Sequence, residues 1–124
     1  MRLLLDTHVV LWQLSGLREL SAQAQEQIAE ADDLLLSTVS FAEIGIKASV
    51  GKLAVPGDLK ERVAAAGIRV LALSPAHGLG VAGLPVHHRD PFDRLIIAQT
   101  LSEQLTVVTA DVRFRAYGVD LVLA

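Results

Sequence analysis

The chain has 124 residues, of which 52% are hydrophobic, and its formal net charge at pH 7 is −3. This length and apolar content are typical of one domain with its own core, so we predict a single domain over residues 1–124. The absence of cysteine excludes disulfides, thiolate nucleophiles and cysteine-based zinc sites. The net negative charge argues against a basic surface of the kind that non-specific nucleic-acid-binding proteins have.

The first apolar run is too short for a secretion signal. Asp6 and His8 interrupt it, whereas the hydrophobic segment of a signal peptide has about 7 to 15 residues. No other stretch approaches the length of a membrane span. We therefore expect a soluble, cytoplasmic protein with no membrane partner.

The first quarter of the chain predicts a strand followed by two helices. The strand covers Arg2–Leu5, and a helix is expected to begin at Thr7, where Asp6 is a suitable cap. A loop over Ser15–Leu20 leads to a helix over Ser21–Ala31, which consists of strong helix formers behind a capping serine.

The second quarter repeats this order. A strand over Leu34–Leu36 precedes a helix over Thr38–Val50, which has one apolar stripe and a glycine as its stop signal. After a loop over Gly51–Gly57, a further helix covers Asp58–Ala66 and ends at Gly67.

The second half of the chain adds three strands and one helix. A strand over Arg69–Leu73 precedes a long, glycine-rich loop over Gly78–Arg89 and a strongly apolar helix over Phe92–Ser102. The last two strands cover Thr106–Thr109 and Val119–Leu123. This alternation of buried strands with helices predicts an α/β fold with a parallel sheet and right-handed crossovers.

Acidic side chains occur where the predicted strands end. Asp6 comes directly after the first strand, Asp111 follows TVVTA at the end of the fourth strand, and the residues after Leu36 lead to Glu43. Asp90 and Asp93 open the apolar helix instead. Because ligands of parallel α/β sheets bind outside the carboxyl ends of the strands, these acids are candidates for a functional site.

Each acid also has a purely structural interpretation. Asp6 and Asp90 are suitable helix N-caps. Ser40 and Glu43 have the spacing of a capping box, and Glu43 with Lys47 forms an i,i+4 pair. Asp93 and Asp111 are also favoured at the start of a helix by the positive end of the helix dipole.

If the acids converge, they need cations or protons to coexist. Two like charges about 4 Å apart repel by about 4 kcal/mol at an effective dielectric constant near 20. Carboxylate oxygens without thiolates suit Mg²⁺ or Mn²⁺, which also bind substrate phosphates. Such ions would screen an acidic pocket that otherwise repels a phosphodiester.

Four segments carry a family resemblance. LLLDTHVVLW, LLLSTVSFAEIGIK, GLPVHHRDPFDRLIIAQ and VVTADVRF occur in this order between Leu3 and Phe114. They resemble the motif series of PIN domains, specifically the VapC-type toxins of bacterial toxin–antitoxin pairs. The resemblance implies an α/β/α sandwich with a short parallel sheet of four to five strands. It also implies a Mg²⁺-dependent endoribonuclease, the toxin of a type II pair, that forms a homodimer and is inhibited by a cognate antitoxin.

The resemblance also implies roles for individual residues. It assigns metal binding and catalysis to Asp6, Glu43, Asp93 and Asp111. Asp90 is an additional acid with an expected supporting role besides its N-cap, and Thr109 is expected to orient a carboxylate or a water. His8 stands where many family members have Asn or Ser, and Thr100 stands where alanine is usual; His8 is expected to support the site or contact substrate.

The resulting hypothesis is hydrolysis of RNA. The acids hold one or two Mg²⁺ ions, with Mn²⁺ as a substitute, and the cation activates a water that attacks the phosphodiester in line. A carboxylate accepts the proton of that water, and the resemblance implies a 5′-phosphate and a 3′-hydroxyl as products. Four arginines beside the acidic motifs are predicted to contact RNA phosphates: Arg89, Arg94, Arg113 and Arg115.

Two other classes of function are consistent with the residues. One is a different metallohydrolase that binds Zn²⁺ or iron, although its histidines lack the i,i+4 spacing of a zincin. Its ligands would be His77, His87, His88 and Asp90. The other is a non-enzymatic α/β protein-binding module whose acids only cap helices.

Overall fold

The computed structural model describes residues 1–124 as six α-helices, five strands and two short 3-10 helices. The strands are β1 (Arg2–Leu5), β2 (Asp33–Ser37), β3 (Ile68–Leu71), β4 (Thr106–Thr109) and β5 (Asp120–Leu123). The α-helices are α1 (Thr7–Ser15), α2 (Ala22–Glu30), α3 (Thr38–Ser49), α4 (Leu59–Ala65), α5 (Pro75–Gly80) and α6 (Pro91–Ser102). The 3-10 helices cover Val81–Gly83 and Val112–Tyr117. No helix has both the length and the hydropathy that crossing a membrane requires.

The five strands form one parallel sheet in the order β3-β2-β1-β4-β5. The chain builds outward from β1 to β3 and then returns to place β4 on the other side of β1. Such a reversal of strand order leaves a crevice at the carboxyl ends of the two central strands, where ligands of α/β proteins bind. The predicted α/β class and the parallel sheet of four to five strands are confirmed.

Two hydrophobic cores cover the two faces of the sheet. Because side chains alternate along a strand, Leu3 and Leu5 pack against α1, α2 and α4, whereas Leu4 packs against α6. The three leucines are fully buried. This explains why the strands are continuously apolar, as expected of a parallel sheet that helices cover on both sides.

The predicted loop over Gly78–Arg89 is partly wrong, because α5 and a 3-10 helix occupy its first half. The Ser74 hydroxyl accepts a hydrogen bond from His77 N (3.1 Å), and His77 Nδ1 accepts one from Ser74 N (3.0 Å). These reciprocal bonds and Pro75 at the first helical position start a helix despite the glycines. The third strand also lies slightly earlier than predicted, at Ile68–Leu71.

The capping box that the spacing of Ser40 and Glu43 allows as an alternative does not form. Helix α3 begins at Thr38, and its N-cap is Ser37, whose hydroxyl accepts a hydrogen bond from Val39 N (3.0 Å). Ser40 is therefore inside the helix, where its Oγ accepts a hydrogen bond from Thr7 Oγ1 (2.8 Å). Because Ser37 rather than Ser40 is the cap, the Glu43 side chain is available for other contacts.

Candidate active site

A cleft of about 350 Å³ lies at the carboxyl ends of β1 and β4. The four acids assigned by the family resemblance line it together with Asp90: Asp6, Glu43, Asp93 and Asp111. They come from four different parts of the chain, and the strand reversal between β1 and β4 places them around one crevice.

Asp6 connects β1 to α1 and is fixed by hydrogen bonds to both carboxylate oxygens. Its Oδ1 accepts from Thr7 N (2.8 Å), and its Oδ2 accepts from Thr109 Oγ1 (2.7 Å). Thr109 Oγ1 in turn accepts from Asp111 N (3.0 Å), so one hydroxyl links the ends of β1 and β4. Burial raises the pKa of the Asp6 carboxyl, although these hydrogen bonds act in the opposite direction.

Glu43 projects from α3 with only 3% of its side chain exposed. Its Oε2 accepts a hydrogen bond from Lys47 Nζ at 2.6 Å, and this bond raises the pKa of Lys47. Its Oε1 is buried and has no hydrogen-bond partner. A buried carboxylate oxygen without a partner is costly, and a bound cation would satisfy it.

Asp93 lies in the first turn of α6, three residues after the Asp90 N-cap. Burial, together with the charges of the four other acids of the cleft, raises the pKa of its carboxyl to about 8. The protein alone therefore favours the protonated form of Asp93 at neutral pH. A cation in the cleft would reverse this preference, because positive charge stabilises carboxylates.

Asp111 has the opposite environment. Arg113 Nε lies 3.0 and 3.1 Å from its two carboxylate oxygens, and Arg113 Nη2 lies 2.6 Å from Oδ2. These hydrogen bonds hold the pKa of Asp111 below its usual value. The Arg113 side chain is 60% exposed, so its contact with Asp111 competes with water.

The cleft fits a hard divalent cation. Its donors are carboxylate oxygens, which Mg²⁺ and Mn²⁺ prefer, and one of them, Glu43 Oε1, is buried without a partner. Lys47 and Arg113 also line the cleft but are already paired with Glu43 and Asp111. The charge of the remaining acids is therefore left for a cation to balance.

Sequence reasoning missed one residue beside this cleft, His88. Its Nε2 lies 3.5 Å from Asp93 Oδ2, and donor atoms of His88, Asp93 and Asp111 all lie within 4.8 Å of one another. The signal in the sequence is the HHRD segment, whose two histidines suggest only the alternative metallohydrolase. Which of two adjacent histidines points inward depends on the loop conformation, and the sequence does not specify it.

The three histidines of that alternative site do not assemble. His77 is buried at the start of α5, where its Nε2 lies 2.8 Å from Glu103 Oε1 at the C-terminal end of α6. Asp90 caps the opposite end of this 12-residue helix, about 18 Å away at 1.5 Å per residue. His87 is exposed, with its ring edge-on to the ring of Tyr117. The alternative metallohydrolase therefore lacks its ligand set.

The arginines predicted to contact RNA have different environments. The Arg94 guanidinium donates to the carbonyl of Pro85 (2.9 Å) and, over 3.3 to 3.4 Å, to the carbonyls of Val81 and Leu84 and to Tyr117 Oη. It stabilises the loop rather than presenting a free charge. Arg113 pairs with Asp111, whereas Arg89 and Arg115 are exposed. His8 is also exposed and lines the cleft.

Comparison with known proteins relates this geometry to a family. The sequence model of the PIN domain family matches residues 3–120. Ribonuclease VapC22 of Mycobacterium tuberculosis (strain ATCC 25618 / H37Rv) is 31% identical over 117 residues, which are 92% of this chain and 90% of that protein.

Solved structures with the same fold include two complexes. The chain matches VapBC2 from Rickettsia felis bound to a promoter DNA fragment with a TM-score of 0.75 and 16% identity, over 99% of this chain and 98% of that one. It matches DNA-bound VapBC from Salmonella typhimurium with a TM-score of 0.69 and 16% identity, over the same shares of both chains. With the family match and the 31% identical relative, we conclude that this chain belongs to the PIN domain family, among the VapC ribonucleases.

Proposed function

We propose that this protein is a Mg²⁺-dependent endoribonuclease and the toxin of a type II toxin–antitoxin pair, with Mn²⁺ as a substitute for Mg²⁺. The observation that carries the proposal is the convergence of four acids in one cleft, where Glu43 Oε1 is buried without a partner. The ribonuclease relative of 31% identity supports RNA as the substrate.

The cation would be held by the four acids: Asp6, Glu43, Asp93 and Asp111. When bound, it supplies positive charge to the phosphodiester and lowers the pKa of a coordinated water. Thr109 fixes the Asp6 carboxylate through its hydroxyl, and Lys47 fixes the Glu43 carboxylate through its ammonium group. A carboxylate of the cleft accepts the proton of the attacking water.

The substrate backbone enters beside the cleft. Arg113 lines it with an exposed guanidinium, and the exposed Arg89 and Arg115 are close in sequence to the cleft acids. We assign phosphate contacts to these three arginines, which position RNA without reading its sequence. His8 lines the cleft and is available for contact with the substrate.

The partners are a cognate antitoxin and a second copy of the chain. The structural neighbours include the VapBC2 complex of Rickettsia felis and a toxin–antitoxin complex from Klebsiella pneumoniae. By analogy, we propose that a small antitoxin covers the cleft of this protein. We further propose that the chain acts as a homodimer.

The experiment that tests this function is cleavage of total RNA followed by mapping of new 5′ ends. We expect discrete ends from the wild type with Mg²⁺ and none from an Asp6→Asn variant. Asp120→Asn is the matched control, because this acid is exposed at the start of β5, away from the cleft, and it should cleave as the wild type does. Full cleavage in excess EDTA, or by Asp6→Asn, would contradict the proposal.

A further inference from the structure

We propose that His88 supplies a nitrogen ligand to the cation site, so that His88, Asp93 and Asp111 together bind a first-row transition ion such as Mn²⁺. This inference rests on the proposed function, because it adds a ligand to the site assigned there. Donor atoms of the three residues already lie within 4.8 Å of one another. Metal bonds to nitrogen and oxygen of about 2.0 to 2.2 Å allow a separation of up to about 4.4 Å between two ligands, so a small closing movement suffices.

The first argument is the unpartnered ring nitrogen. The His88 side chain is 5% exposed, and its Nε2 is buried without a hydrogen-bond partner. Its nearest acidic atom, Asp93 Oδ2, is 3.5 Å away, which exceeds the usual range of about 2.7 to 3.2 Å for an N–H···O bond. Because nearly all buried polar atoms have a partner, a buried nitrogen without one, beside Asp93 and in the cluster with Asp111, indicates a bound ligand.

The second argument is the support of the ring on its other side. His88 Nδ1 lies 2.8 Å from Tyr117 Oη, and the backbone N–H of His88 donates to the same oxygen at 3.2 Å. When Nδ1–H donates to the hydroxyl, the lone pair of Nε2 faces the acids. Histidines that bind metals nearly always donate their other N–H to an acceptor such as a carboxylate, a carbonyl or a water, which fixes the tautomer and the ring orientation, and the Tyr117 hydroxyl occupies this position here.

The third argument is the position of this support in the chain. Tyr117 ends the 3-10 helix Val112–Tyr117, whose N-cap is Asp111. The same short segment therefore carries one carboxylate of the set and the hydroxyl that orients the imidazole. His88 precedes Asp93 by five residues, across the N-cap of α6. Two short segments thus hold all three donors and the orienting group.

The nitrogen donor determines which ions the set prefers. Carboxylates alone suit Mg²⁺, whereas imidazole suits zinc, copper, iron and nickel. We therefore expect one cation to bind between the carboxylate oxygens of the cleft and the nitrogen of His88. Loss of His88 should weaken the binding of transition ions more than the binding of Mg²⁺.

The test is pulsed electron paramagnetic resonance of Mn²⁺ bound to the purified protein, which detects ¹⁴N of a coordinated imidazole. We expect the ¹⁴N signal in the wild type and its loss in His88→Gln. His8→Gln is the matched control, because His8 is the other histidine beside the cleft, and this variant should keep the signal. Tyr117→Phe should bind Mn²⁺ about 10- to 100-fold more weakly, as expected when a supporting hydrogen bond of a ligand is lost.

Each other outcome overturns the inference. Mn²⁺ bound to the wild type without a ¹⁴N signal would remove His88 from the site and leave the carboxylate cation site intact. Absence of Mn²⁺ binding would overturn the cation site of the proposed function as well. Loss of the signal in His8→Gln would assign the nitrogen to His8, and this result decides the question even if His88→Gln does not fold.

Discussion

Asp93 and Asp111 show how the surroundings of one residue type determine its chemistry. Both are aspartates of the same cleft, yet burial and neighbouring acids raise the pKa of Asp93 to about 8, whereas Arg113 lowers the pKa of Asp111. Asp93 therefore destabilises the metal-free folded protein when it ionises, and Asp111 does not. The two residues have opposite effects on stability as the pH changes.

We expect Asp93→Asn to stabilise the metal-free protein, and more at pH 8 than at pH 5. The folded-state pKa of Asp93, about 8, lies above the unfolded value of about 3.9. The folded wild type therefore loses stability as the pH rises through this window. Thermal unfolding in EDTA should show a melting temperature several degrees higher for the variant at pH 8.

Asp111→Asn is the matched comparison for this prediction. In the wild type, the pKa of Asp111 is lower in the folded protein than in the unfolded one. The ionised carboxylate therefore stabilises the fold above the unfolded-state pKa, and this stabilisation is lost as the pH falls through the folded-state pKa. The variant should therefore be no more stable than the wild type at pH 8. A higher melting temperature for Asp111→Asn, or a pH-independent effect of Asp93→Asn, would contradict this account of the cleft.

The sequence identified the acids of the cleft but not all their neighbours. Asp6 follows a strand, Asp93 lies at the start of a helix, and both belong to family motifs. Local sequence patterns are therefore enough to identify them. His88 and Arg94 differ, because their contacts are with residues that lie elsewhere in the fold: Tyr117 for His88, and the loop carbonyls for Arg94. Such contacts depend on tertiary packing, which periodicity and motifs do not encode.

At the scale of elements, the start of α6 affects both the stability of the protein and the geometry of the cleft. Asp90 Oδ1 accepts hydrogen bonds from Phe92 N (2.9 Å) and Asp93 N (3.1 Å). The cap therefore fixes the first turn of the helix, and this turn places Asp93 in the cleft. Pro91 at the first helical position supports the same start.

We expect Asp90→Ala to lower the free energy of unfolding by about 1 kcal/mol, which is typical for loss of an N-cap. Asp90→Asn keeps the accepting oxygen and removes the same negative charge. The difference between the free energies of urea unfolding of the two variants therefore measures the capping hydrogen bonds alone, because both variants remove the same repulsion between acids. Equal stabilities for Asp90→Ala and Asp90→Asn would show that the cap contributes nothing.

The elements themselves were largely predictable, whereas some of their ends were not. The cap at Asp6 and the apolar runs of the strands are local signals, and the structure retains them. The predicted start of α3 at Thr38 agrees with the structure, whereas the short helix α5 was not predicted. Ser74 caps α5, although the glycines of this segment favoured a loop.

At the scale of the whole molecule, the order of the strands joins both ends of the chain in one sheet. The N-terminal strand β1 lies between β2 and β4, and the C-terminal strand β5 pairs with β4. Removal of β1 would divide the sheet and expose both cores. We therefore propose that residues 1–124 unfold as one cooperative domain.

Coincident unfolding transitions test this proposal. Trp12, the only tryptophan, packs against the core on one face of the sheet, and its fluorescence reports on that face. Far-ultraviolet circular dichroism reports on all helices, including α6 on the other face. We expect identical urea midpoints from both probes, and separate midpoints would indicate two independently unfolding parts.

The central claim is that the acids of the cleft require a divalent cation to remain ionised together. The most direct test is the free energy of unfolding at pH 7.5 as a function of Mg²⁺ or Mn²⁺ concentration, with an Asp6→Asn, Asp93→Asn double variant in parallel. We expect the wild type to gain about 2.7 kcal/mol when the cation reaches 100 times its dissociation constant, and the double variant to lose this gain. A free energy of unfolding for the wild type that neither cation changes, at constant ionic strength, would contradict the claim.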